Sequence, residues 1–176
     1  THGAGMVNAI VRRLGDLPMS DWDKLPVPRL PKWLRKPLIG DYGKAVVEAM
    51  ELAHSKGAPL DLSFKEGAIL PEGTMLETGS LRIEDAGQVT SLAGFAEGGW
   101  WVQDASAALP VAILAPKAGE RVLDLCAAPG GKTMQIAAAG AEVTALDISE
   151  ARMARVSENL TRTGLNAEIV VSDALE

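Results

Sequence analysis

Arg121-Val-Leu-Asp-Leu-Cys-Ala-Ala-Pro-Gly-Gly-Lys-Thr133 decides how the rest of this 176-residue chain is read. Val122, Leu123 and Leu125 make a short apolar run of the length a buried parallel strand needs. Thr133 opens a stretch rich in Ala, Met and Ile that predicts a helix. A strand turning sharply into a helix leaves unpaired backbone N–H groups at the helix start, where the helix dipole is positive. A carboxylate or phosphate is stabilised at such a point. Gly130 and Gly131 permit close approach.

Three kinds of turn bind anions in this way, and spacing separates them. A phosphate-binding P-loop requires G-x-x-x-x-G-K-[ST]; Gly131-Lys132-Thr133 supplies its end, but its first glycine falls on Cys126. The dinucleotide fingerprint G-x-G-x-x-G occurs in no register across residues 124 to 133. The third is an S-adenosylmethionine site, in which the cofactor's carboxylate meets the helix start.

Downstream, the pattern runs strand, helix, strand, helix, strand. A helix from Thr133 to Ala139 ends at Gly140, and Val143 to Leu146 is a strand with Asp147 at its tip. Ser149 caps a helix through Thr163 whose buried stripe is Met153, Val156 and Leu160. Ile169 to Val171 is the third strand, with Asp173 at its tip. Such alternation implies an α/β fold with parallel strands joined by right-handed crossovers, the first half of a Rossmann-like sheet. Ligands of these sheets lie across the carboxyl ends of the strands. Asp147, about twenty residues past the glycine turn, is placed to accept from ribose hydroxyls, and Asp173 from an adenine amino group. Asp124, just inside the strand, is a weaker candidate to face an ammonium. For each aspartate the competing reading is a loop cap or a solvated surface charge.

Asp124-Leu-Cys-Ala-Ala-Pro-Gly-Gly-Lys-Thr133 resembles the first cofactor motif of the RsmB/Sun (Fmu) family of RNA cytosine-5 methyltransferases. Gly98-Gly-Trp-Trp-Val-Gln-Asp-Ala-Ser-Ala107 is similar to the segment that leads into the same domain. The resemblance implies an S-adenosylmethionine-dependent enzyme acting on ribosomal RNA of the small subunit. It also implies cofactor contacts from Cys126, Ala127, Ala128, Pro129, Gly130, Gly131, Lys132, Asp147 and Asp173. Making 5-methylcytosine requires a thiolate to add to ring carbon six. In this family that thiolate comes from later Pro-Cys-Ser and Thr-Cys-Ser motifs, which do not occur before Glu176. The lone Cys126 is therefore expected to be a buried wall residue of the cofactor site and no catalytic residue is assigned. The chain is expected to be a fragment, inactive alone. Its first strand would present an open apolar edge, since the usual strand order places a further strand there.

Composition sets wider bounds. A 47% hydrophobic content suffices for a real core, and no apolar run approaches the roughly 18 residues of a membrane span. A cytoplasmic protein with no membrane contact is expected. One cysteine excludes an internal disulfide and a cysteine zinc site, His2 and His54 add nothing, and no metal is expected. The net charge of −6 argues against binding nucleic acid over the whole surface. Residues 12 to 44 nevertheless carry Arg12, Arg13, Lys24, Arg29, Lys32, Arg35, Lys36 and Lys44 against Asp16, Asp21, Asp23 and Asp41, so RNA contacts should concentrate there. The plain alternative is a solvated linker.

Before residue 98 the reading is of three pieces. Met6, Val7, Ile10, Val11 and Leu14 recur on one face of a helix over residues 4 to 14, a stripe that must pack on something; it resembles the last helix of the family's NusB-like domain, giving a first boundary at 1–15. Residues 16–40, with five prolines, predict a connector without regular structure, in which Trp22 and Trp33 serve as anchors or, alternatively, as base-stacking groups. Residues 41–103 predict a small α+β module that the resemblance makes RNA-binding. It has a helix from Tyr42 to Ser55 capped by Asp41, and strands at Leu60 to Phe64, Leu81 to Ile83 and Val89 to Leu92. Trp100 and Trp101 seal the join to the 104–176 half-domain or, alternatively, stack on RNA bases, and the first helix of that half-domain is capped by Asp104 or Ser106. The rival functions are a non-catalytic RNA- or cofactor-binding module, and a Rossmann methyltransferase acting on protein or a small molecule.

Overall fold

The computed structural model describes residues 3–22, 24–84 and 86–175. Expectations that touch Thr1, His2, Asp23 and Glu176 fall outside them. The chain divides into two units, Thr1–Ala58 and Pro59–Glu176.

The first unit is helical: α1 Ala4–Gly15, α2 Met19–Trp22, α3 Lys32–Tyr42 and α4 Lys44–Ser55. No described residue of α1 is buried, and its apolar face, Met6 and Ile10 included, is exposed. The proline-rich stretch is more regular than its composition predicts. Pro31 occupies the N-cap position of α3, and Pro37 lies inside that helix, where it removes one donor without ending it. Asp41 does not cap the next helix, because it is still within α3; the break is made by Gly43, whose φ of 84° few other residues adopt. α3 and α4 are locked by a two-pronged ion pair. Arg35 Nε and Nη2 donate to Glu51 Oε1 and Oε2 at 2.8 and 3.2 Å, and Leu30 N–H donates to Glu51 Oε1 at 2.9 Å. The bond from Arg35 holds the Glu51 carboxyl below its ordinary pKa.

The second unit contains two sheets. The first is antiparallel, order β2-β3-β1-β4, from β1 Leu60–Phe64, β2 Thr74–Met75, β3 Leu81–Ile83 and β4 Trp100–Val102. The strand predicted at Val89 to Leu92 is instead a 3-10 turn over Val89–Ser91. Its two apolar residues still pack into this sheet's core, which is why an apolar pair was misleading there. The two-residue β2, exposed on both residues, carries no alternation to detect. After β4 come α5 Ala105–Leu114, β5 Arg121–Leu125, α6 Gly131–Ala138, β6 Glu142–Asp147, α7 Glu150–Thr163 and β7 Glu168–Val171. The last three strands form a parallel sheet, order β5-β6-β7, with Leu125 paired to Leu146 and Asp147 to Val171. That register sets the three carboxyl ends side by side. Among the described residues β5 pairs only with β6, and Leu123 and Leu125 are exposed.

β4 joins the two sheets, and its period of two explains how. Trp100 packs with Leu62, Leu81 and Ile83, whereas Trp101 packs with Ala127, Ala128, Met134 and Met153. Both rings are essentially buried, as the sealing role requires. Asp61, at 2% exposure, ties the same parts together: it takes Arg82 Nε and Nη2 at 2.7 and 2.8 Å and the α5 N–H of Ala105 at 3.1 Å. Asp104 caps α5, accepting from the N–H groups of Ser106 and Ala107. The α7 C-terminus is held against the first sheet. Lys65 Nζ donates to the Thr163 carbonyl at 2.7 Å, and Arg162 donates to the carbonyls of Phe95 and Trp100 while lying 4.4 Å over the Phe95 ring. Burial pushes the Arg162 pKa down. A Cβ on Gly98 would lie 1.9 Å from the Arg162 carbonyl oxygen, so only glycine permits this approach.

Candidate functional site

The turn between β5 and α6 begins at Cys126, whose φ of 63° is left-handed, a conformation uncommon outside glycine, asparagine and aspartate. Ala127 N–H donates to the Leu146 carbonyl at 2.9 Å, pinning the turn to β6. A cis bond joins Ala128 to Pro129. Gly130, at φ 102°, is the N-cap of α6 and supplies no side-chain cap. The first N–H groups of α6 therefore have no intrahelical partner and carry the positive end of the helix dipole. A Cβ at Gly130 would sit 3.1 Å from Val156 Cγ1, so the turn is pressed onto α7.

A cavity of about 260 Å³ opens over this turn. Cys126, Ala127, Ala128, Pro129, Gly131 and Lys132 line one side, with Asp124; Val102, Gln103, Asp104 and Ala107 line the other. Six of the predicted site residues thus meet in one place. Gly130, buried, shapes the turn from beneath. Cys126 is on the wall as expected but is exposed, not buried. The left-handed bend at the strand end leaves the thiol at the cleft surface instead of in the core.

The aspartates divide. Asp147, 2% exposed, points at the turn: its Oδ2 accepts from the Ala128 N–H at 3.3 Å and its Oδ1 from the Ser149 N–H at 3.0 Å. Arg152 closes the group, donating from Nη2 to the Ala128 carbonyl at 2.8 Å and lying 3.4 Å from Asp147 Oδ2. Asp124 is buried and accepts from Thr133 Oγ1 at 2.6 Å, stitching the end of β5 to the first turn of α6. Neither Asp147 nor Asp173 joins the cavity lining, which of these three includes only Asp124; Asp173 Oδ1 accepts from the Leu175 N–H at 3.0 Å, the local cap weighed against a ligand role.

Two residues were missed by sequence reading. Gln103, 6% exposed, accepts from Trp101 Nε1 at 2.9 Å and donates to Gln135 Oε1 at 3.0 Å, while Trp101 Nε1 also reaches the Gly131 carbonyl at 3.1 Å. The turn is thereby hung from β4 as well as from β6. Arg152 gave no signal beyond its place five residues past Asp147. No group of three metal-ligating side chains occurs among the described residues.

Residues 111–176 match the family model described as 16S rRNA methyltransferase RsmB/F. Over those residues the chain is similar to the RsmB/F methyltransferase family. Relatives extend the likeness upstream. The ribosomal RNA small subunit methyltransferase B of Vibrio cholerae is 40% identical over 160 residues, covering 82% of this chain and 37% of that protein. The Salmonella arizonae protein of the same name is 51% identical over 96 residues, covering 53% of this chain and 22% of its own length. The chain thus spans well under half of either relative. Among solved structures, PH0851 superposes with a TM-score of 0.68 at 24% identity, covering 82% of this chain and 37% of that one. A methyltransferase homologue from Pyrococcus horikoshii superposes at 0.61 with 25% identity, covering 83% of this chain and 58% of that one. The Rossmann-like α/β fold of residues 111–176 agrees with both. No helix among the described residues is long and apolar enough to cross a membrane.

Proposed function

We propose that this chain carries the cofactor half of an S-adenosylmethionine-dependent methyltransferase that makes 5-methylcytosine in small-subunit ribosomal RNA. The observation that carries this reading is the joining of the Cys126–Lys132 turn to Asp147 through the Ala128 N–H beside an open cavity. The donor set fits the cofactor. The uncapped start of α6 suits a carboxylate, and a Cβ at Gly130 would fill space the turn needs to lie against α7.

In this reading Gly131 and Lys132 hold the amino-acid end of the cofactor by backbone donors, with Asp124 near its ammonium. Asp147 orients the turn and offers its remaining lone pairs to the ribose hydroxyls. Asp173, on the neighbouring strand end, turns toward the adenine only if it gives up its bond to Leu175. S-adenosylmethionine, when bound, supplies a methyl group made electrophilic by its sulfonium. Cys126 packs beside the cofactor and is not the thiolate that attacks cytosine, because its backbone belongs to the cofactor turn. The antiparallel module of residues 60–102 sits beside the cavity and serves as the RNA-facing wall.

Incubating the chain with tritiated S-adenosylmethionine and small-subunit ribosomal RNA tests the assignment. Cofactor binding without methyl transfer is expected; transfer by this chain would overturn the role given to Cys126, and absence of cofactor binding would overturn the whole reading.

A further inference from the structure

Charge is not shared evenly between the two units. Residues 1–58 carry nine Lys and Arg against six Asp and Glu, whereas residues 59–176 carry eight against 17. Of the two units, only the helical one has a positive balance. Within it, α3 packs one side, partly buried, against α4 through Arg35 and Glu51 and leaves the other in solvent. The free side holds Trp33, 75% exposed, with Lys32 and Lys36 also exposed. Lys32 and Lys36 are four residues apart and Trp33 and Lys36 three, so the three side chains share one helix face. Neither lysine forms an ion pair among the described residues, in contrast to Lys24, Arg35 and Lys44. A depression of about 280 Å³ on the same helix is lined by Lys32, Arg35, Lys36 and Ile39.

An indole left in water is costly unless something stacks on it. Trp33 is no anchor in this structure, although a tryptophan in a proline-rich stretch predicts one. Two uncompensated cations beside it select an anionic partner, and a flat aromatic face selects a planar one. Nucleobases on a phosphate backbone meet both requirements. We propose that the exposed face of α3, with Trp33 flanked by Lys32 and Lys36, is a docking surface for single-stranded RNA, separate from the cavity over the Cys126–Lys132 turn. Trp33 stacks on one base, and the two lysines neutralise the flanking phosphates. The choice of RNA as the polyanion rests on the function proposed above; the surface itself does not.

The test is fluorescence anisotropy of a labelled, unstructured oligouridylate titrated with the 176-residue chain. Trp33→Ala is expected to weaken binding roughly tenfold, since stacking on one aromatic accounts for about that much, and Trp33→Phe to restore most of it. Lys32→Glu with Lys36→Glu should make the dependence of log affinity on log salt shallower by about 1.4, at about 0.7 per phosphate on a single strand. Circular dichroism should be unchanged in all variants, because the three side chains are exposed. Equal affinity of wild type and Trp33→Ala, or no binding by wild type, overturns the inference. Titration of the same variants with S-adenosylhomocysteine separates this outcome from the cofactor reading: its failure would strike that reading and leave an RNA effect at Trp33 standing.

Discussion

Asp147 is the residue on which the site turns. Its two oxygens accept from Ala128 and Ser149, so removing them leaves two backbone donors short of a partner. Asp147→Ala should cost about 1–3 kcal/mol of stability and lower S-adenosylhomocysteine affinity at least roughly tenfold, read by chemical denaturation and calorimetry. Gly130→Ala makes a sharper steric case. A φ of 102° strains any residue with a Cβ, and that Cβ meets Val156 at 3.1 Å. A loss of about 2 kcal/mol is expected, with Gly131→Ala much milder, since its added Cβ meets Gln103 at ordinary contact distance. The residues of the turn were legible in the sequence because glycine, proline and an acid at the next strand's tip each have a stereochemical reason to be where they are. Gln103 and Arg152 were not, because a glutamine or an arginine acquires its role only from what the fold brings opposite it. The exposure of Cys126 was hidden for a related reason: a left-handed backbone at a non-glycine residue leaves no mark in the sequence.

Elements with a strong period were read well and those without one were not. The stripe of Met153, Val156 and Leu160 lies buried as drawn, and Ser149 and Gly164 bound α7 as capping chemistry requires. The cap at Asp104 is a similar case. Asp104→Ala should destabilise the chain by about 1 kcal/mol, measurable as a shift of the denaturation midpoint. The helix α3 was lost to its prolines, because the density of a residue type says nothing of whether each one falls before the helix or inside it. Asp61 adds a pH dependence at this scale. The bond from Arg82 lowers the Asp61 pKa in the folded state. The stability it contributes is therefore complete above the unfolded value of about 4 and is lost as pH falls through the lower folded value. Asp61→Asn should remove this part of the acid transition and cost about 2–3 kcal/mol at neutral pH, through the stranded guanidinium of Arg82 and the weakened acceptor for Ala105. Stability as a function of pH, with and without the substitution, checks both.

For the molecule as a whole, the second unit is organised by β4, which gives one tryptophan to each core and so couples the antiparallel module to the cofactor turn. Gly98 guards that coupling: with its Cβ position only 1.9 Å from the Arg162 carbonyl, Gly98→Ala should loosen α7 from the first sheet and lower the unfolding temperature by several degrees, about 2 kcal/mol. The fold class and the parallel half-sheet were visible in advance because alternation of short apolar runs and amphipathic helices has few solutions. The division at Ala58 and the exposure of Trp33 were not, since both depend on tertiary contacts that a proline-rich stretch does not announce. In the proposed function the Ala-Pro-Gly-Gly turn and Asp147 together receive a sulfonium nucleoside. Amide NMR of the 176-residue chain, titrated with S-adenosylhomocysteine and in parallel with ATP and magnesium, measures this most directly. The thioether should shift the amide signals of Cys126 to Ala128, Gly130 to Thr133 and Asp147, and ATP should leave them in place. Shifts at the turn from ATP alone, or from neither ligand, would contradict it.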